Sequence, residues 1–280
     1  MDEKNQNFNH LKIHTQYSIC EGAIKIDELK NFCKNNKIKS IGLSDTSNLC
    51  GALEFSEEIS RAGTQPIIGT QINFKFNNLI GNIPLIAKTR KGYETILKLS
   101  SDSYLQNNNE HQPCCCLDDL IKNSDGLIVL SGSLHSLSGK LFQKNKLNHL
   151  NDLYALLNKK FGDDFYIEIQ RHNDQNEKQF ELFNLNLSNE LKIPIIATHE
   201  VFYLNKSMHE AHDALLCIKN KAYINDKNRS KLTNNHDLKT DKEMHELFSD
   251  LPEALLNNFY LPYKCNFKAN FSKPLLPEIV

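Results

Sequence analysis

The chain has 280 residues, 40% of them hydrophobic and 24% charged, enough to bury the core of one large domain or two small ones and not the composition of a disordered chain. Lys and Arg number 33 against 34 Asp and Glu, a formal net charge of −1, so no global positive field exists to hold nucleic acid or an anionic membrane. No apolar run approaches the roughly 18 residues of a membrane span, and the opening MDEKNQNFNH carries no apolar signal segment.

In chain order, short apolar runs alternate with amphipathic stretches. A first strand is expected at His10–His14, followed by a helix whose Ile26, Leu29 and Cys33 share one face. A strand at Ser40–Leu43 leads to a helix marked by Phe55, Ile59 and Ala62, and Gly63 and Pro66 punctuate its exit. Strands follow at Pro66–Phe74 and Leu85–Lys88, then a helix on Tyr93, Ile96 and Leu97. Leu127–Leu130 and Phe165–Ile169 read as buried strands, Phe180, Phe183, Leu187 and Leu191 as a helix face, and Pro194–Ala197 as the last strand. Strands separated by helices predict βα units around a parallel sheet, open or closed into a barrel.

Immediately after nearly every strand stands a side chain with chemistry: His14 and Thr15, Asp45, Gln71, Ser131 and Ser133, Arg171 and His172, His199 and Glu200. In a βα barrel the loops after the strands build the site, so these residues are expected to converge on one face. Single members of such a set also serve as helix caps or satisfy loops, and the convergence carries more than any one of them.

The eight cysteines include no CxxC pair and are too sparse for a disulfide scaffold, which reads as reduced thiols in a cytoplasm. Cys114, Cys115 and Cys116, with His111 nearby, lack the spacing of metal ligands and read as loop or strand-entry thiols. His209 and His212 share a helix face and read as packing residues. The Lys219–Lys231 stretch has acids among its bases and no aromatic ladder, the pattern of a solvated face. Neither a phosphate-binding loop nor a dinucleotide glycine fingerprint is present.

Four ordered blocks are more specific: FNHLKIHTQYSICEGAIKIDEL at Phe8–Leu29, IGLSDTSNLCGALEFSEEISRAGTQPIIGTQINF at Ile41–Phe74, GLIVLSG at Gly126–Gly132 and IPIIATHEVFYL at Ile193–Leu204. They resemble the polymerase and histidinol phosphatase (PHP) domain at the amino end of the bacterial DNA polymerase III alpha subunit. The resemblance continues through His209–Arg229 and Glu243–Asn258 and runs from about Phe8 to about Pro277. It implies an α/β fold, a distorted (β/α)7 TIM-like barrel, over residues 1–270, with residues 271–280 opening the connection to a polymerase palm. In metal-bearing members the cleft at the strand ends holds two or three divalent ions that activate water against a phosphate ester.

Carried over residue by residue, the family's HLHVH is His10-Leu11-Lys12-Ile13-His14, which puts an ammonium where a ligand stands. Glu21 matches the acid of YSLLDG. In TDHGN the histidine is replaced by Thr46, beside Asp45; the glutamate ending PIIGxE is Gln71; the cysteine of LSGC is Ser133; and NDVHY becomes His199-Glu200-Val201-Phe202-Tyr203. His172 in YIEIQRHN stands at a strand end, facing the cleft or holding a loop. The expectation is therefore a vestigial cleft of His10, Lys12, His14, Glu21, Asp45, Thr46, Gln71, Ser133, His172, His199, Glu200 and Phe202, with no metal and no catalytic residue in this stretch. Lys12 is expected to substitute for the metal charge by pairing with Asp45 or Glu200.

The implied parent is a replicative DNA-directed DNA polymerase using Mg²⁺ in a palm domain elsewhere. The implied partners are its palm and thumb, a separate proofreading exonuclease subunit, and DNA through the parent chain, with no membrane. Two alternatives are a free-standing metal-dependent phosphoesterase holding one ion with some of His14, Glu21, His172, His199 and Glu200, and a polymerase domain with residual exonuclease activity.

Overall fold

The computed structural model describes residues 7–105, 112–226, 228, 229 and 231–272; His111 and residues 273–280 of the expected connecting segment lie outside them. The elements in order are β1 (Lys12–Ile13), α1 (Ile26–Asn36), β2 (Ser40–Thr46), α2 (Ala52–Arg61), β3 (Gln65–Phe76), β4 (Leu79–Ala87), α3 (Arg90–Leu105) and β5 (Cys115–Cys116). They continue with α4 (Leu117–Lys122), β6 (Leu127–Leu130), α5 (Leu137–Gln143), α6 (Leu147–Phe161), β7 (Phe165–Ile169), α7 (Glu177–Leu191), β8 (Ile195–Ala197), β9 (Glu200–Val201), α8 (His209–Asn220), α9 (Asp241–Leu247) and α10 (Pro252–Lys264).

Local chemistry accounts for the boundaries. Gly63 takes φ +80° after α2, a conformation that costs glycine nothing. Thr240 and Glu243 cap each other's backbone at the start of α9. In α3 Ile96 is buried and Tyr93 packs against the core as expected, while Leu97 is 39% exposed and Leu99 completes the buried face in its place.

The strands run in the order β8-β7-β6-β4-β3-β2-β1-β9, with β5 beside β3. The expected parallel sheet is corrected at β4, which pairs antiparallel with both β3 and β6. The cause is a two-residue hairpin: Asn77 and Asn78 take φ of 48° and 59° between the paired Phe76 and Leu79, the left-handed pair of a type I′ turn. No helix fits in two residues, so the chain reverses. The first and last strands of the order, β8 and β9, are joined through Thr198 and His199, and β9 pairs with β1. The distorted barrel thus closes through the chain itself.

Alternation along the strands separates two apolar layers. Ile41, Leu43, Ile68, Val129, Phe165 and Ile167 meet the helices. Inside the barrel, Leu11, Ile67, Ile86, Ile128, Leu130, Tyr166 and Ile196 form a second cluster, closed from below by Leu261 and Cys265 of α10 and its exit. Asn258 of α10, fully buried, accepts from Asn9 N at 2.7 Å and donates to Asn9 O and Ala197 O at 2.8 and 3.0 Å. The upper interior, toward the strand ends, is polar.

Candidate functional site

The polar end is assembled from strand register. Lys12 stands opposite Glu200 across the β1–β9 pair, and Thr46 opposite Gln71 across β2–β3, so each pair points to one side of the sheet. The third member is Glu168 of β7, two residues beyond the lumen-facing Tyr166 and hence on the same side.

Lys12 is 1% exposed and Glu168 2%. The ammonium lies 3.2 Å from Glu168 Oε1 and 3.6 Å from Glu200 Oε1, aligned for a hydrogen bond with neither. Burial acts to lower the lysine's pKa, and the two carboxylates outweigh it, holding the pKa above its ordinary 10.5. Burial likewise acts to raise Glu200, but the Lys12 charge and His14 hold it well below the usual carboxylate range. Around this core, Thr198 and Gln170 donate to Glu168 Oε1, while His14 at 2.9 Å and Gln71 at 2.5 Å donate to Glu200 Oε1. The expected pairing of Lys12 with Glu200 is present and that with Asp45 is not. Asp45 instead accepts from Thr15 N and Oγ1 at 2.7 and 2.8 Å and from Ser18 Oγ at 2.7 Å, which uses its oxygens to close the loop after β1.

A cleft of about 420 Å³ opens above this network, with His14, Glu21, Thr46, Gln71, Ser133, Glu200 and Phe202 among its lining. Glu21 accepts from Thr46 Oγ1 at 2.5 Å and pairs with Lys219 of α8. Burial acts to raise its pKa, but His14, Lys219 and Thr46 hold it below the ordinary value. The Phe202 ring stacks on His14 at 4.3 Å. Asn82, His135, Lys140 and His236 also line the cleft, and sequence reasoning passed over all four.

His10, Lys12, Asp45, His172 and His199 lie outside that lining. The three histidines bind alternate carbonyls of one extended segment: His172 Nδ1 donates to Asn235 O, His199 Nε2 to Asp237 O and His10 Nε2 to Lys239 O, at 2.9–3.0 Å. Between them, Phe202 N donates to His236 O and Leu238 N to Tyr203 O, each at 3.0 Å. The segment is thus laced to the barrel residue by residue. Of the two readings of His172, the loop-holding one describes its contacts, since Nε2 accepts from Glu200 N at 3.3 Å. Its ring stacks on His236 at 4.0 Å and 11° and lies 4.5 Å from that of His199. Burial pushes His10 and His172 down to about 4 and His199 and His236 well below 6.5.

The remaining side chains with expected chemistry serve local structure. Arg171 pairs with Glu181 and Asp250 and covers the Phe248 ring at 5.1 Å. Cys115 donates to Leu99 O, and the β5 pair Cys115–Cys116 lies against β3. His212 donates to Glu21 O at 2.7 Å, and Arg229 binds Asp213 through both of its terminal nitrogens. Among the described residues, no group of three or more His, Cys, Asp or Glu is placed to hold a metal ion, and no helix is long and apolar enough to cross a membrane.

Glu168 was missed because it interrupts the apolar run FYIEI by a single residue. A lone acid in a buried strand is itself the signal, since it demands a buried partner.

The chain is 34% identical over 288 residues to the DNA polymerase III subunit alpha of Caulobacter vibrioides, covering 99% of this chain and 25% of that one. It is 38% identical over 277 residues to that of Rickettsia conorii, covering 97% and 23%. The chain thus spans about a quarter of the length of these relatives. A solved structure from Bifidobacterium adolescentis, assigned as a metal-dependent phosphoesterase, aligns with a TM-score of 0.48 and 12% identity, covering 69% of this chain and 86% of that one. The PHP domain family matches residues 10–172, and the chain belongs to that family.

Proposed function

We propose that the chain is the PHP part of a replicative DNA-directed DNA polymerase and that its cleft performs no phosphoester chemistry. Similarity along 97–99% of the chain to DNA polymerase III alpha subunits supports the parentage. In that reading nucleotidyl transfer and its Mg²⁺ belong to a palm outside this stretch. The barrel then braces the palm and thumb, offers a surface to a proofreading exonuclease subunit, and meets DNA through the parent chain.

One observation carries the reading of the cleft: the buried ammonium of Lys12 between Glu168 and Glu200. A cluster of divalent ions does not fit these residues. It needs several carboxylates to balance its charge, and Glu168 and Glu200 already balance the Lys12 ammonium through their Oε1 atoms, which also accept from Thr198 and Gln170 and from His14 and Gln71. Glu168 Oε2, His10 Nδ1, His199 Nδ1, His212 Nδ1 and His236 Nε2 are buried without partners, yet Lys12 supplies the positive charge that a metal would bring, and it repels any second cation. Thr46, Gln71, Ser133 and Phe202 add no thiolate, imidazole or carboxylate to the set.

The test is elemental analysis after incubation with zinc, manganese and magnesium and desalting, together with assays for phosphate-ester hydrolysis and 3′-end trimming. The expected result is well under one equivalent of each metal and neither activity. Two or three tightly held ions, or metal-dependent trimming, would overturn the reading.

A further inference from the structure

What a histidine ring carries follows from what each of its nitrogens faces: a neutral ring has one donor and one acceptor, and only the cation has two donors. His10, His172, His199 and His236 each give one ring hydrogen to a backbone carbonyl, which a neutral ring can do. His14 differs. It is 1% exposed, with Nε2 at 2.9 Å from Glu200 Oε1 and Nδ1 at 3.2 Å from Ser18 Oγ.

Neither partner has a hydrogen to give it. The Lys12 charge keeps Glu200 ionised against burial, so its oxygen only accepts. Ser18 has one hydroxyl hydrogen, and Oγ stands 2.7 Å from Asp45 Oδ1, the separation of a hydroxyl donating to a carboxylate. Its two lone pairs then receive Thr46 N at 3.1 Å and His14 Nδ1. Burial pushes the Asp45 carboxyl up, and the bonds donated by Ser18 and Thr15 oppose it. The Thr15 hydroxyl accepts from Tyr17 N at 3.2 Å, so its own hydrogen goes to Asp45 Oδ2 at 2.8 Å. Gln71 Nε2, 3.1 Å from His14 Nε2, donates to Glu200 Oε1. Turning that amide round would set two oxygens against each other, so ring and amide converge on one acceptor.

Charge points the same way. Among the described residues Lys12 is the one buried lysine or arginine, and Glu168, Glu200 and Asp45 are all buried around it and His14. Three carboxylates against one ammonium leave two charges without compensation, which an interior does not tolerate without a partner or a proton. A proton on His14 removes one of them at the ring that touches Glu200 and reaches Asp45 through Ser18. Phe202, stacked on that ring at 4.3 Å and 23°, offers an aromatic face to a cation.

We propose that His14 is an imidazolium at neutral pH, so that two fixed cations, Lys12 and His14, together carry the charge of one divalent ion at the base of the cleft. This rests on the reading of the cleft given above and extends it. The two cations repel each other, and Glu200 Oε1, which both approach within 3.6 Å, offsets the repulsion. His14 lines the cleft and Lys12 does not, so the second charge is the one that a solute entering the cleft meets.

The test is magic-angle-spinning ¹⁵N NMR at pH 7 of the full-length protein with ¹⁵N in its histidine rings. His14 is assigned from the signals lost in His14→Gln or, should that variant not fold, from those displaced in Ser18→Ala, which removes only the acceptor of Nδ1. Both His14 nitrogens are expected to carry hydrogen, and Glu200→Gln should lower the ratio of charged to neutral ring by roughly tenfold. One bare nitrogen on the ring would overturn the proposal, as would an unchanged ratio in Glu200→Gln. Where elemental analysis finds no bound metal, such a failure refutes the second cation alone. A tightly held metal ligated by the His14 ring would refute this proposal and the reading of the cleft together.

Discussion

The ammonium of Lys12 lies 3.2 Å from a carboxylate oxygen of Glu168, joining β1 to β7 across the barrel interior with both side chains buried. Taking such a pair out of water costs several kcal/mol for each ion, and only mutual attraction and further hydrogen bonds offset it. The relationship is therefore stable only while every member is present.

Lys12→Met removes the cation and leaves two carboxylates facing one another. The expected loss is about 3–5 kcal/mol, read from urea unfolding midpoints. Adding Glu168→Gln to Lys12→Met should recover a substantial part of it, because the double variant buries one unpaired charge fewer. A single variant that unfolds at the wild-type midpoint would contradict the coupling.

Stability should fall on acidification between pH 6.5 and about 4. His10, His172, His199 and His236 have folded pKa values depressed by burial, so the unfolded chain binds protons there that the folded one does not. Their contribution is whole above pH 6.5 and lost below it, at up to about 1.4 kcal/mol per pH unit for each. Glu177, pushed up to about 7 by burial, acts with the opposite sign in this window, while His135, raised by its hydrogen bond to Asp174, changes stability only above pH 6.5. Lys12, held above 10.5, keeps its contribution below that pH and loses it only as the pH passes the raised folded value. Unfolding midpoints at pH 7, 5.5 and 4.5 check this; a flat profile would count against it.

Gln71→Glu would set a carboxylate against Glu200 Oε1, to which the Gln71 amide now donates at 2.5 Å. Two carboxylates at that distance cannot both ionise without cost. The melting temperature should drop at pH 7.5 and the deficit shrink toward pH 5, as the shared proton is taken up. An equal deficit at both pH values would point to packing in place of charge.

Asn258→Ala should cost about 2–4 kcal/mol, since it leaves the Asn9 amide and carbonyl and Ala197 O without partners inside the barrel floor. Thermal unfolding measures it, and a loss under about 1 kcal/mol would show that these groups find other partners.

Much of the fold was legible as pattern. Leu127–Leu130 and Phe165–Ile169 are strands with the bounds their apolar runs suggest, and Ile26, Leu29 and Cys33 are the buried face of α1. Burial imposes a period, and a period survives in one dimension. The reversal at Asn77 and Asn78 was missed because their left-handed conformation depends on two residues that are ordinary elsewhere, and with it went the antiparallel β4.

The sequence by itself determined the barrel's layers and the presence of a lysine among leftover acids, because residue type and spacing are local properties. Only the tertiary structure decided the partners. It joined Lys12 to Glu168, far apart in the chain, and gave Asp45 to Thr15 and Ser18. It also set His10, His172 and His199 on alternate carbonyls of one segment. A buried charge or ring nitrogen must find a complement somewhere, and which one it finds is a matter of distance across the closed barrel, which no stretch of sequence contains.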